Sequence, residues 1–196
     1  MKIFLVRHGQ TDWNVENRLQ GCVDIPLNKN GIKQAQTLAE NIKELKVDRI
    51  ISSPLSRALD TAKIINKKMQ VPLDINEGLL ERSFGILEGI KGTEYNQKLY
   101  WDYGKNYRYK DVEPIQEFLD RVYAYLDKLI DENKSSNVLI ITHNGVNIAT
   151  NCYFNGLPKD KNLLGIQLDN CSYAEYDSDK IFNKGYVQDN QKRWIN

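Results

Sequence analysis

The chain has only two histidines, and each follows one of its most apolar short runs. His8 comes after Ile3–Phe4–Leu5–Val6–Arg7, and His143 after Val138–Leu139–Ile140–Ile141–Thr142, with Gly9 and Gly145 close behind them. Such runs read as strands buried on both faces. In an open α/β sheet, ligands bind where strands end at their carboxyl side. Arg7 and His8 therefore stand where chemistry would be placed. A neutral imidazole is a nucleophile or proton acceptor, and a guanidinium fork bonds two oxygens of one anion at once. A single His at a strand end is ordinarily structural; two in equivalent settings point to one shared site.

The elements that must position these groups alternate along the chain. Residues 2–6 form the first strand. Residues 9–30 form a long loop, of a length that is often functional in compact domains. A helix over Gly31–Leu45 carries Ile32, Ala35, Leu38, Ala39, Ile42 and Leu45 at helical spacing, with Asn28 or Asn30 as its cap. A strand follows at 47–52. Ser53 then reads as an N-cap and Pro54 as the first helical residue, with Leu55, Ala58, Ala62, Ile65 and Met69 as the buried stripe. Arg57 lies in that helix's first turn, where free N–H groups already favour an anion; the competing reading is a solvated surface arginine.

A short strand at 71–75 precedes a glycine-punctuated segment at 76–94. Residues 95–110 hold six aromatics (Tyr95, Tyr100, Trp101, Tyr103, Tyr107, Tyr109) mixed with Lys98, Lys105, Arg108 and Lys110. Two readings compete here, a substrate-facing cap and an insertion packing its rings on the body. The cations point to a polar or anionic substrate, and the rings, if exposed, permit a homodimer. Glu113–Pro114 opens a long helix to about Asn133. A strand at 137–142 and a helix over Gly145–Phe154 follow. Cys171–Tyr176 and Lys180–Gln188 read as a hairpin around Asp177–Ser178–Asp179. This order predicts one domain over 1–196: a three-layer α/β/α sandwich with a mostly parallel sheet, an antiparallel edge strand and a cap-like insertion around 76–112.

Composition narrows the function classes. The chain has 196 residues, 41% hydrophobic and 27% charged, with a net charge of +1. No global field argues for nucleic acid or a membrane surface, and no apolar run approaches the roughly 20 residues of a membrane-spanning helix. The odd set Cys22, Cys152 and Cys171 gives neither a disulfide framework nor a metal-binding pair, which fits a reduced, cytoplasmic home. With both histidines committed elsewhere, no metal site and no cofactor are expected.

Five ordered blocks go further. They are Leu5–Val6–Arg7–His8–Gly9–Gln10–Thr11 with Asn14, Arg18–Leu19–Gln20–Gly21, Ser52–Ser53–Pro54–Leu55–Ser56–Arg57–Ala58, Glu81–Arg82–Ser83–Phe84–Gly85 with Glu88–Gly89, and Thr142–His143–Asn144–Gly145. Together they resemble the signature of the histidine phosphatase superfamily, the phosphoglycerate mutase-like proteins. The resemblance implies that His8 takes the phosphoryl group, Arg7 and Arg57 clamp it, His143 bonds its oxygens, and Glu81 protonates the leaving alcohol. Asn14 and the N–H of Asn144 are implied as further phosphate contacts, and Gln20 and Gly21 as substrate contacts. Many relatives have Gly directly after the second His; here Asn144 intervenes before Gly145.

The chemistry suits these residue types. Neutral imidazole brings no negative charge to a phosphate dianion, and a covalent route splits one difficult displacement into two. One ring nitrogen must attack, so a backbone carbonyl such as that of Gly9 is expected to hold the other. Glu81 needs a raised pKa; the competing reading pairs it with Arg82 at the surface, and Asp74, Glu77 and Glu88 are weaker candidates. The short length and Phe84–Gly85–Ile86–Leu87–Glu88–Gly89 resemble the small phosphatase branch. The expected function is therefore hydrolysis of a small phosphorylated metabolite. The alternatives are 2,3-bisphosphoglycerate-dependent mutase activity, a phospho-ligand-binding module without turnover, and metal-dependent hydrolysis, which the histidine count disfavours.

Overall fold

The computed structural model describes residues 1–181. Five strands form one sheet: β1 (Lys2–Arg7), β2 (Arg49–Ser52), β3 (Leu73–Ile75), β4 (Val138–Thr142) and β5 (Tyr173–Asp177), in the order β3-β2-β4-β1-β5. All pairs are parallel except β1 with β5. The expected mostly parallel sheet with an antiparallel strand beside it is thus present. The helices are α1 (Asp12–Val15), α2 (Lys29–Ile42), α3 (Ser56–Met69), α4 (Gln97–Tyr100), α5 (Ile115–Glu132) and α6 (Asn144–Asn155).

Strand side chains alternate between faces, so each central strand feeds two cores. Phe4, Val6, Leu139 and Ile141 pack with Leu38, Ala39 and Ile42 of α2 and Ala58, Ala62 and Ile65 of α3. Ile3, Leu5, Val138 and Ile140 pack on the other face with α5 and α6, through residues such as Phe118, Val122, Val146 and Ala149. These are the three layers. β4 is buried along its whole length because strands flank it on both sides and helices cover both faces.

The start of α3 differs from the sequence reading, and the structure decides between the two readings of 95–110. Ser53 does not cap α3, which begins at Ser56; the Ser56 N–H and hydroxyl both donate to Asp24 Oδ1 at 2.8 Å, so a carboxylate from the long loop takes the anion-favouring end. Ser53 instead runs on beside β4, its N–H donating to the Ile141 carbonyl at 3.0 Å. The rings of 95–110 are not offered together at the surface, because Tyr100, Trp101 and Tyr103 are buried in the core against α5. Three of the four cations there pair locally, Lys105 with Asp102, Arg108 with Glu117, and Lys110 over the Tyr109 ring, while Lys98 is exposed. The second strand expected at Lys180–Gln188 lies, from residue 182 on, outside the described residues; Lys180 itself ends a 3-10 turn at Ser178–Lys180. Among the described residues, no helix is long and apolar enough to cross a membrane.

Candidate active site

The pairing of β1 with β4 sets Arg7 opposite Thr142, so the next residues, His8 and His143, leave adjacent strands side by side. The His8 N–H extends the ladder by donating to the Thr142 carbonyl at 2.9 Å. The two imidazoles meet edge to face, 5.3 Å between centroids.

His8 Nδ1 lies 2.7 Å from the Gly9 carbonyl. A carbonyl only accepts, so Nδ1 carries the proton and Nε2 keeps its lone pair. This is the hold expected from the residue types. Burial, then the Arg57 and Arg7 charges, push the imidazole well below the usual histidine range, with the Gly9 bond opposing. The ring is neutral at neutral pH, as a nucleophile must be. His143 is held low for the same reasons: burial first, then Arg57, His8 and Arg7. Its Nε2 is 2.7 Å from Ser53 Oγ, and its Nδ1 is buried without a hydrogen-bond partner.

Two guanidinium groups flank the rings. Arg7 donates from one terminal nitrogen to the Leu168 carbonyl at 2.7 Å, and its Nε is buried without a partner. Arg57 is 1% exposed, which rules out a solvated surface arginine. It donates to the carbonyls of Gly21 at 2.7 Å and Val23 at 2.8 Å, and its Nε too is buried without a partner. Buried donors are costly to leave unpaired. Two of them, the Nε groups of Arg7 and Arg57, belong to the groups gathered at this strand end and are matched in chemistry to one oxyanion, with His143 Nδ1 a further unpartnered nitrogen there.

Glu81 reaches the site from the segment after β3. Its two carboxylate oxygens accept from the Arg82 N–H at 2.8 Å and the Gly145 N–H at 3.0 Å. A side chain at Gly145 would collide with this carboxylate, so glycine is needed for the approach. Burial raises the Glu81 pKa, and those two N–H groups, Arg57 and Arg7 only partly oppose it. Surface pairing with Arg82 does not occur: Arg82 is buried, donating to the carbonyls of Tyr100 and Glu113. Asp74 pairs with Arg49 elsewhere, Glu77 is exposed, and Glu88 binds the N–H groups of Cys22 and Phe84. Of these four acids only Glu81 lines the cavity.

That cavity, about 270 Å³, is walled by Arg7, His8, Arg57 and Glu81 together with Asn14, Gln20, Gly21 and Asn144. Eight of the nine expected site residues therefore line one cavity; His143 is fully buried, 5.3 Å from His8 between ring centroids, and is not among the lining residues. Asn14 Oδ1 accepts from the Thr11 N–H at 3.0 Å and Asn144 Oδ1 from the Leu168 N–H at 3.1 Å, which orients both amides; the single Thr11 hydroxyl proton is shared between Asn14 Oδ1 and Gln20 Oε1. Gly21 takes a positive φ of 53°, and a side chain there would strike Glu88.

One contributor was missed. Asn170 Nδ2 donates to the His8 carbonyl at 2.9 Å, and the Leu168 carbonyl holds Arg7. This loop crosses the strand ends only because β5 adds beside β1, and no local pattern marks it. Among the described residues, no group of three or more His, Cys, Asp or Glu is placed to hold a metal ion.

Two imidazoles, two guanidinium groups and one acid at the carboxyl ends of parallel strands suit a phosphoryl group, and comparison with known proteins identifies the class. Residues 3–183 match the model of the histidine phosphatase superfamily (branch 1). The chain is 38% identical to a Bacillus subtilis protein described as the uncharacterized phosphatase PhoE, over 72% of this chain and 70% of that one. It is 35% identical to the probable phosphoglycerate mutase GpmB of Escherichia coli, over 90% and 85%. Among solved structures it is similar to Entamoeba histolytica phosphoserine phosphatase in complex with 3-phosphoglyceric acid, with a TM-score of 0.78, 29% identity and 90% coverage of both chains. The chain belongs to the histidine phosphatase superfamily, as its five sequence blocks lead one to expect.

Two consequences are testable here. Arg57→Ala should lower kcat/KM for a phosphomonoester by about 10²–10³-fold, the usual cost of removing one pre-placed donor. Arg57→Lys should recover little, since an ammonium cannot span Gly21, Val23 and an oxyanion together; recovery to within threefold of the parent would count against the clamp. The second concerns stability. His8 and His143 have folded pKa values below the unfolded value near 6.5, so below that pH the unfolded state binds more protons and folding stability falls. Glu81 acts oppositely above its unfolded value near 4.5, where its raised folded pKa makes the folded state the better proton binder. In phosphate-free buffer the melting temperature should fall from pH 7.5 to pH 5.5, and less steeply in His8→Gln; parallel curves would refute the buried neutral ring.

Proposed function

We propose that the protein is a phosphomonoester hydrolase working through a phosphohistidine on His8. His8 Nε2 attacks phosphorus, the P–O bond to the alcohol breaks, and the alkoxide takes the proton of Glu81. Water then attacks the phosphohistidine, gives a proton back to Glu81, and the P–N bond breaks to release inorganic phosphate and neutral His8. Arg7 and Arg57 match the charge on the non-bridging oxygens by position. His143, whose Nδ1 is buried and unpartnered, and the amide groups of Asn14 and Asn144 are further donors. Gln20 and Gly21 are substrate contacts. Residues 76–112 cap the site within one domain over 1–196. The three free thiols fit a cytoplasmic setting.

The observation that carries this reading is the Gly9 carbonyl on His8 Nδ1, which dedicates Nε2 to attack beside two guanidinium groups. The test uses p-nitrophenyl phosphate with EDTA, followed by acid and alkali treatment of the quenched protein. Phosphate release that persists under chelation, with an acid-labile, alkali-stable phosphoprotein, is expected. Release that dies with chelation, or no such phosphoprotein, overturns the proposal. The 35% identity to a probable phosphoglycerate mutase favours a second reading, transfer between the hydroxyls of a phosphoglycerate. Conversion of 3- to 2-phosphoglycerate well above the rate of hydrolysis would establish it.

A further inference from the structure

The wall of the cavity carries a charge pattern that the phosphate chemistry does not use up. Among the described residues, the arginines on it are Arg7, Arg57 and Arg18, and no lysine lines it. Arg7 and Arg57 together balance one phosphate dianion. Arg18 is already paired: its Nε donates to the Glu16 carboxylate and one terminal nitrogen to the Gly89 carbonyl at 2.7 Å, so an anion reaching its remaining N–H groups also meets the Glu16 charge. Arg82 lies behind the wall, stacked over the Phe84 and Trp101 rings at 5.0 and 5.2 Å, and is fully buried. Of the cations of 95–110, Lys105, Arg108 and Lys110 have the local partners described above, and Lys98 is exposed and does not line the cavity. Among the described residues, a second anionic group on a substrate therefore meets no cation on this wall, beyond the two that hold the phosphate, that lacks a carboxylate partner, and its desolvation is poorly compensated.

The carboxamides divide by which end the protein occupies. Asn14 and Asn144 have their oxygens bound by backbone N–H groups, leaving amide donors beside the clamp. Gln97 and Gln167 are reversed. Gln97 Nε2 donates to the Gly92 carbonyl at 2.7 Å and Gln167 Nε2 to the Leu164 carbonyl at 3.2 Å, which leaves the oxygen as the end free to accept. An amide oxygen accepts from a hydroxyl and repels a carboxylate. Trp13 and Tyr95 add flat apolar faces to the same wall. At about 270 Å³ the cavity falls just below the ~300–1,000 Å³ usual for small-molecule sites, so the alcohol half is small.

We infer that the preferred substrate is the monophosphate of a small, uncharged, hydroxylated alcohol, selected against carboxylated and doubly phosphorylated esters, with Gln97 as a specificity-determining acceptor. This rests on the phosphomonoesterase reading above, and it sets the chain apart from enzymes whose substrates carry a carboxylate.

A matched pair of esters tests it. Glycerol 3-phosphate and 3-phosphoglycerate differ only in a terminal CH₂OH against a carboxylate. The parent protein should hydrolyse the first with kcat/KM at least tenfold higher. Gln97→Arg should cut that ratio at least fivefold by giving the carboxylate a partner, the scale expected of one charge-assisted hydrogen bond. p-Nitrophenyl phosphate serves as the common reference. If it is hydrolysed but the two esters differ by less than threefold, or the carboxylated one is faster, the inference is overturned while the phosphatase reading stands. If p-nitrophenyl phosphate is not hydrolysed at all, the phosphatase reading itself fails. A ratio unmoved by Gln97→Arg overturns the assignment to Gln97.

Discussion

His8→Ala should abolish measurable turnover, with kcat/KM for glycerol 3-phosphate falling by about 10⁴–10⁶-fold, the range seen when a covalent nucleophile is removed. The reason is geometric as well as chemical. His8 is the imidazole that reaches the cavity wall with one nitrogen fixed by a carbonyl and the other uncommitted. His143 cannot substitute, because it is fully buried with Nε2 on Ser53 and does not line the cavity. The acid-labile phosphoprotein should vanish with activity. The substitution also removes the ring contact with His143 and the Gly9 bond, so the variant must be shown to fold. Retention of the parent's circular dichroism, together with phosphate-dependent thermal stabilisation, separates lost chemistry from lost structure. A folded variant retaining more than a hundredth of the parent's activity would remove His8 as nucleophile.

Glu81→Gln is the second large effect, and its size should depend on the leaving group. For an alkyl phosphate the departing alkoxide needs a proton, and losing a positioned acid costs about 10²–10⁴-fold. For p-nitrophenyl phosphate the phenolate leaves unaided, so formation of the phosphoenzyme should slow by less than tenfold. Glu81 is held protonated above the ordinary carboxylate range mainly by burial. As pH rises through that raised value the acid form is lost, so kcat/KM for glycerol 3-phosphate should decline on the alkaline side. In Glu81→Gln that limb should be absent, since the amide does not titrate. Equal losses on both substrates, or an unchanged pH profile, would assign the proton to another group. Glutamine keeps the acceptor for one of the two N–H groups that Glu81 binds, which limits collateral damage to the Gly145 turn.

The elements were legible where periodicity was strong. β1 and β4 show as apolar runs, and α2, α3 and α5 as stripes, because burial imposes those spacings. The α3 start was misread. Ser53–Pro54 has the composition of a helix start, but the strand's hydrogen bonding to Ile141 carries through Ser53, and Asp24 takes over the cap at Ser56. The aromatic segment resisted reading for a different reason. Burial of Tyr100, Trp101 and Tyr103 depends on the facing side of α5, and nothing local to 95–110 records that surface.

The amino-acid sequence alone determined the reactive inventory: two imidazoles at the ends of apolar runs, two arginines matched to an oxyanion and one acid in a glycine-rich turn, in the order of a known family. Types and order along the chain are enough for that, because phosphoryl chemistry admits few alternatives. Only the tertiary structure decided the rest. Strand order placed β1 beside β4 and so set residue 8 next to residue 143. The addition of β5 brought Leu168 and Asn170 over the strand ends. Which amide ends the protein keeps for itself, and which arginine is already neutralised, follow from contacts between segments far apart in the chain. Those contacts exist only after folding, because they are fixed by register and packing rather than by any local pattern.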